Sequence, residues 1–370
     1  MPIGTVRKVF DIHFFDNRGN LSYVFSKIAN CDWEYNRKGG CGQCNLVVTA
    51  PFDFIESKLI PQTSVKIYVN NQLRYTGKLL RYTKQSEPGN EKIILTFYGY
   101  LTELAGIIVR ETYENTEISA IVTDILDNYV LPNSEISYSA ADIESTDYSV
   151  QSLALNHSAK DALVLLAQLG GNIEWGVDRN KNFFFKKTDA VVRRVYVVGR
   201  EVTMFNEIRN DENIVNILNI FGNAGFLAQI QSTQSVETFG SKEANLFESS
   251  ITEVSDANRL GFVNLKNSAG YQRNIQFLII KPDEFIETAT PLGATTLRTA
   301  VFRGLNKYGT SIKYGTSNRY GNLRPDQIEN IRYNIAGGGL AISITMSDDI
   351  PSIADTQKRT EFELKDLQRR

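Results

Sequence analysis

Three cysteines lying close together, Cys31, Cys41 and Cys44, are the residues of this chain best spaced for chemistry. Cys41-Gly-Gln-Cys44 sets two sulfurs as a metal knuckle does, with Cys31 as a third ligand for a metal ion or iron–sulfur cluster. The fourth ligand would come from His13 or from a neighbouring subunit. Two other readings stand beside this one. The thiols are buried and unreactive in a β-turn, or they form a Cys-x-x-Cys redox pair, which normally caps a helix in a βαβ setting that this region lacks. A second pattern is a basic–aromatic–glycine unit recurring at Lys307-Tyr308-Gly309, Lys313-Tyr314-Gly315 and Arg319-Tyr320-Gly321. It reads as a projecting loop that contacts a partner, since tyrosine and basic groups suit stacking and phosphate contact. It reads equally as an ordered loop in which each Gly makes a turn and each Tyr packs locally.

Signals for catalysis are poor, and a non-enzyme is expected. The only histidines are His13 and His157, and His157 lies just before a predicted helix cap, where a solvated or capping role is usual. Gly309-Thr-Ser311-Ile-Lys313 and Gly315-Thr-Ser317-Asn-Arg319 lack the final Gly of a nucleophile elbow. No His-Glu-x-x-His and no phosphate-cradling Gly-x-x-x-x-Gly-Lys occurs, and Gly40-Cys-Gly42-Gln-Cys-Asn45 misses the dinucleotide pattern at its last position. A glycosidase needs only two carboxylates that can be far apart in sequence, but nothing nominates a pair.

The elements that would position these residues are mostly strands. The chain has 370 residues, room for at least two cores, and Phe (20) and Tyr (17) greatly outnumber Trp (2). A formal net charge of −2 gives no bulk attraction to nucleic acid or acidic membranes. No apolar run is long enough for a membrane helix, and Met1 to Phe15 lacks the pattern of a signal peptide. Together with the few cysteines, this predicts a protein folded in cytoplasm.

Val65 to Val69 alternates, Asn70-Asn71 tolerates positive φ, and Leu73 to Gly77 returns, which predicts a hairpin; Glu91 to Tyr98 continues the meander. Ile118, Ile121, Val122, Ile125, Leu126 and Tyr129 fall on one helical face, with Thr116 as N-cap and Leu131-Pro132 as stop. A second helix starts at Ser158, spaced to Asp161 as in a capping box, and ends at Gly170-Gly171. Ile173 to Val177 pairs with Phe183 to Phe185 in another hairpin. Strand texture resumes at Val195 to Val198 and Asn213 to Gly222. A polar stretch with one helix (Asp256 to Leu265) follows, then strands at Ile275 to Ile280, Ile331 to Ile335 and Leu340 to Thr345. The tail after Pro351 is a marginal helix unless something packs on it.

This order of modules resembles that of the bacteriophage tail-hub, or baseplate-hub, proteins. The likeness is carried by the hairpin ending in Tyr75-Thr-Gly77, by Phe97-Tyr-Gly99-Tyr-Leu101 leading into the helix at Ile118, and by the Ser158-to-Gly170 helix followed by Asn172-Ile-Glu-Trp175. The Asn216-to-Gly222 strand end, Phe239-Gly-Ser-Lys-Glu243 and the Ile331-to-Ile335 strand complete it. The resemblance implies a mainly-β α+β fold of two tube-protein-like β-barrels with an inserted α+β domain and a smaller second insertion. The boundaries expected are 1–104 for the first barrel, 105–188 for the α+β insert, 189–238 with 271–350 for the second barrel, 239–270 for the small insertion and 351–370 for the charged tail.

What the resemblance implies for function is structural. Three copies of a two-barrel chain would make a ring of six at the virion tail tip, adapting a sixfold tube to a threefold end. Its partners would be two further copies of itself, the tail tube or distal tail protein ring, the tape-measure protein, and central spike, tip or fibre proteins. Viral DNA would meet it only in passage, because a lumen that gripped the duplex would oppose sliding; no membrane insertion and no cofactor are implied. Assembly would take place in the bacterial host cytoplasm. No sequence repetition between the two barrel regions accompanies this expectation. The reading from another class is a tail-associated peptidoglycan hydrolase or a saccharide-binding adhesin.

Overall fold

The computed structural model describes residues 10–25, 30–58, 64–87, 90–171, 173–188, 194–195, 202–210, 212–270, 272–280, 296–298, 325–336 and 339–347. The basic–aromatic–glycine units at 307–321 and the tail 351–370 lie outside the described residues.

Alternation of apolar residues builds the first stretch: β1 (Phe10–Phe15), β2 (Leu21–Phe25), β3 (Asn30–Asn36), β4 (Lys38–Thr49), α1 (Phe52–Lys58), β5 (Ser64–Val69), β6 (Gln72–Glu87) and β7 (Asn90–Tyr98). Val65, Ile67 and Val69 of β5 are buried with half-buried residues between them, the period of two that one covered face demands. Asn70 and Asn71 adopt φ of 51° and 63°, the two left-handed residues that a tight two-residue hairpin turn requires.

A 3-10 turn (Tyr100–Gly106) leads to β8 (Ile108–Glu117), α2 (Ile118–Ile125), β9 (Ser137–Ile143), β10 (Ser149–Ser158), α3 (Ala159–Gly170), β11 (Ile173–Val177) and β12 (Asn182–Lys187). The N-cap of α2 is Glu117 rather than Thr116. Its carboxylate accepts from the Ser119 and Ala120 N–H groups at 2.7 and 3.3 Å, while the Thr116 hydroxyl donates back to the Glu114 carbonyl. A full charge at the positive end of the helix prevails over a hydroxyl. At α3, Ser158 caps Asp161 N as the spacing predicts, and Gly171 ends the helix with φ 92°. The β11–β12 hairpin then docks β11 in parallel on β4, pairing Gly176 with Gly39 and Val177 with Gly40. These glycines permit the approach. A Cβ on Gly40 would lie 2.1 Å from the Val177 carbonyl oxygen, and one on Gly176 would lie 2.3 Å from the Gly39 carbonyl carbon.

The remaining elements are β13 (Arg194–Val195), β14 (Met204–Asn210), β15 (Ile217–Gly222), β16 (Gly225–Gln231), α4 (Thr233–Phe239), β17 (Glu243–Phe247), α5 (Val254–Ser268), β18 (Gln272–Ile280), β19 (Thr296–Arg298), β20 (Pro325–Ala336) and β21 (Gly339–Ser347). Here the expected boundary at 239 is corrected. β15 and β16 do not join the second β unit; they pair with β17 in a separate three-stranded sheet covered by α5, so the insertion begins directly after β14. Strand texture at 213–222 marks a strand but not the sheet it enters. Leu218, Ile220, Ala228 and Leu246 share a core with Ala257, Leu260 and Leu265 of α5. The row Phe226–Phe221–Phe247 carries stacked and edge-on rings outside that core. The two insertions are tied together by buried Asp256, which accepts from the Tyr148 hydroxyl at 2.7 Å and the Gln151 N–H at 2.9 Å.

The architecture is mainly-β α+β. Its main sheet runs β14-β18-β21-β20-β3-β4-β7-β6-β5-β1-β2. The two β units expected to curl separately are therefore joined edge to edge, through β20 and β3. Their inward residues, from Ile12 and Phe14 through Trp33, Leu46 and Phe97 to Ile331, Ile344 and Phe277, form a single core.

Within this sheet one pattern occurs twice. β3, β4, β6 and β7 lie in the spatial order first-second-fourth-third, and so do β14, β18, β20 and β21. The likeness extends to register. In the β6–β7 hairpin, pairs run from Glu87↔Asn90 to Arg81↔Thr96, Leu80 is bulged out, and Leu79 pairs with Phe97. In the β20–β21 hairpin, pairs run from Ala336↔Gly339 to Asn330↔Thr345, Glu329 is bulged out, and Ile328 pairs with Met346. Both third strands also receive an antiparallel partner on their N-terminal part, β5 on β6 and β19 on β20.

Candidate assembly site at the sheet junction

The two units meet head to tail: the third strand of one, β20, pairs with the first strand of the other, β3. The register runs from Asn330↔Asn36 to Ala336↔Asn30 with Tyr333 opposite Trp33. The Trp33 and Tyr333 rings stack at 5.1 Å and 13°, both buried. Polar pairs line the same ladder, with Asn330 Nδ2 donating to Asn36 Oδ1 and Arg332 donating to Asp32, each at 2.7 Å. Arg37, fully buried, closes the join. Its N–H donates to the carbonyl of bulged Glu329 at 2.8 Å, and its guanidinium donates to the Glu329 carboxylate at 2.6 Å. The fully buried carboxylate of Glu174 on β11 lies 3.9 Å from the same guanidinium. One cation thus links the β3–β4 turn, the α+β insert and β20.

Two edges of the repeated units have no second ladder partner among the described residues. Among the described residues, β14 pairs with β18 alone, and residues 79–87 of β6 pair with β7 alone, because β5 covers only Gln72 to Lys78. Exposed apolar side chains mark both edges: Leu80 (67%) and Tyr82 (47%) on β6, Met204 (60%) and Ile208 (49%) on β14. Such edges offer ladder hydrogen bonds to another strand.

The sequence candidates lie elsewhere or act otherwise. Cys31 on β3 and Cys41 and Cys44 on β4 are buried in the main core, and among the described residues no group of three His, Cys, Asp or Glu side chains is arranged to hold a metal. Burial pushes the Cys41 thiol up to about 12. Cys44 is also raised well above its ordinary value, first by burial and then by its hydrogen bond with Cys31. Redox attack by Cys41 or Cys44 needs the thiolate, which this environment opposes. His13 lies on the face of β1 opposite Ile12 and Phe14, where its ring packs at a tilt against Tyr68 with centroids 4.7 Å apart.

His157 is not a helix-capping residue. It sits on β10, with Nε2 2.7 Å from the Ser250 hydroxyl and 3.8 Å from the Glu248 carboxylate. The trio has the residue types of a hydrolytic triad, which sequence distance hid. Its geometry differs, because a triad acid engages Nδ1 while Glu248 shares the Nε2 side with the serine, and Ser250 is only 1% exposed. No described helix is long and apolar enough to cross a membrane.

Solved structures with the same arrangement exist. The 43 kDa tail protein of prophage MuSo2 from Shewanella oneidensis is similar with a TM-score of 0.64 and 10% identity, over 92% of this chain and 98% of that one. The fold is that of phage tail proteins. The tail protein from Neisseria meningitidis MC58 matches with a TM-score of 0.65 and 6% identity, over 92% of this chain and 96% of that one. The prophage tail protein gp18 from Listeria monocytogenes EGD-e matches with 0.54 and 13%, over 96% and 99%. No family model matches the sequence, and no curated protein matches it. At such identities the tail-protein fold is shared while most side chains have changed.

Proposed function

We propose that this chain is a structural tail-hub protein, without catalytic activity, that closes the distal end of a phage or phage-like tail tube. The observation that carries the reading is the repeated four-strand unit, joined head to tail within one polypeptide. A heterologous join of this kind generates a ring if its rotation closes. Three chains then present six like units to a sixfold tube, while the insertions, present once per chain, present threefold symmetry to spike or fibre proteins. The tail-protein fold of the neighbouring structures supports a place in the tail. The buried serine beside His157 favours this reading over a hydrolase.

The test is native mass spectrometry of the purified chain with imaging of the particle down its axis. The expected result is a trimer with six peripheral densities that alternate in two shapes. A stable monomer at micromolar concentration, or a ring of another order, would overturn the proposal.

A further inference from the structure

The repeat assigns a residue-level contact between copies. We infer that residues 81–87 of β6 form an antiparallel ladder with β14 of a second copy of this chain, in the register of the internal β20–β3 junction. The inference rests on the proposed ring and specifies how its copies join.

The register follows from superposing the two units on their own hydrogen-bond ladders. The β6–β7 and β20–β21 hairpins match from the turn to the bulge, so Lys84 stands where Tyr333 does, and Gln85 where Asn334 does. On the first strands, Trp33 pairs with Cys44, which pairs with Phe97, the counterpart of Met346. Glu207 pairs with Ile275, which pairs with Met346 itself. Glu207 therefore stands where Trp33 does, and Asn206 where Asp32 does. Carrying the internal pairs Tyr333↔Trp33 and Asn334↔Asp32 to the open edges places Lys84 opposite Glu207, and Gln85 opposite Asn206, of the second copy.

Charge supports this register independently of the superposition. Directly opposed residues of an antiparallel pair share a face of the sheet, where opposite charges attract and like charges repel. The stacked aromatic pair at the centre of the internal junction is replaced by a lysine on one open edge and a glutamate on the other, and two amides meet beside them. A slip by one residue would send Lys84 and Glu207 to opposite faces. The exposed Met204 and Ile208 on one edge and Tyr82 on the other gain cover in the same step.

The test uses the full-length chain. Gln85→Cys with Asn206→Cys places two thiols on one rung, and mild oxidation should give covalent trimers on denaturing gels; either substitution alone should not. Gln85→Cys with Ile208→Cys, two residues out of register, should link at least tenfold less. Lys84→Glu and Glu207→Lys should each weaken the trimer, and the two together should restore it. A wild-type trimer that cross-links equally in the shifted register, or that is indifferent to both charge changes, overturns this contact while leaving the ring reading intact. Absence of any trimer overturns both.

Discussion

Replacing Arg37 by Met is expected to loosen the join of the two β units and the α+β insert together. The guanidinium is fully buried, 2.6 Å from the Glu329 carboxylate, which is 23% exposed, and 3.9 Å from that of Glu174, which is not exposed at all. At an effective dielectric constant of about 20, charges this close attract by roughly 4–6 kcal/mol each. The cost of stripping water from three ionised groups offsets much of that, so the network adds little net stability over an apolar one. Removing the cation alone is another matter. It takes the nearby cation from the buried Glu174 carboxylate, and losses of about 3–5 kcal/mol are typical of such half-removed pairs. Arg37→Met should therefore lower stability by about that amount, whereas Arg37→Met with Glu174→Gln should be milder than the sum of the single changes by about 1–3 kcal/mol. Urea titration followed by tryptophan fluorescence suits the question, because Trp33 reports on β3 and Trp175 on β11, the two elements that the cation ties. A loss below about 1 kcal/mol for the single variant, or strict additivity with Glu174→Gln, would refute the three-way link.

Two further outcomes are expected. Gly40→Ala puts a methyl group into the Val177 carbonyl at a residue with φ 74°, so the β11–β12 hairpin should lose its dock on β4; hydrogen exchange at Gly176 and Val177 should rise by at least a hundredfold, and unchanged protection would contradict the close-approach argument. Burial holds the Cys41 proton up to about 12, while the unfolded chain releases it near 9. Between these values the unfolded state binds fewer protons, so stability falls as pH rises, by about 1.4 kcal/mol per unit for this group. Cys41→Ala should remove that contribution, making the loss between pH 7.5 and pH 10 smaller by about 1.4 kcal/mol; an identical loss in both proteins would show that the thiol is not the titrating group.

Local chemistry was legible in the sequence wherever it acts over a few residues. The Asn70-Asn71 turn, the Ser158 cap and the Gly171 stop are legible because each is set by neighbouring backbone. Cap preference for small hydroxyls points to Thr116, and only the structure shows the longer acid of Glu117 reaching forward to Ser119. What could not be read was pairing across distance. Residues 217–231 look like any strand, and the choice of β17 and α5 as partners is made by the fold. The repeated unit left no trace in residue identity, because register and bulge position constrain hydrogen bonds and alternation while accepting many side chains. At the bulge itself, Leu80 and Glu329 share nothing but backbone geometry. Cys41 and Cys44 have metal-like spacing in sequence, but their strand turns them into the apolar core.

The insertion between β14 and β18 falls where the other unit has only the short β3–β4 connection at Arg37. In a ring of identical small subunits, any change is copied at every position around the circle. Here each unit has its own stretch of gene, so one can acquire or lose an appendage while its twin keeps the bare connection. In the proposed ring, a lineage could thus re-equip alternate positions for a new attachment without disturbing the surface proposed to fit an unchanged tube.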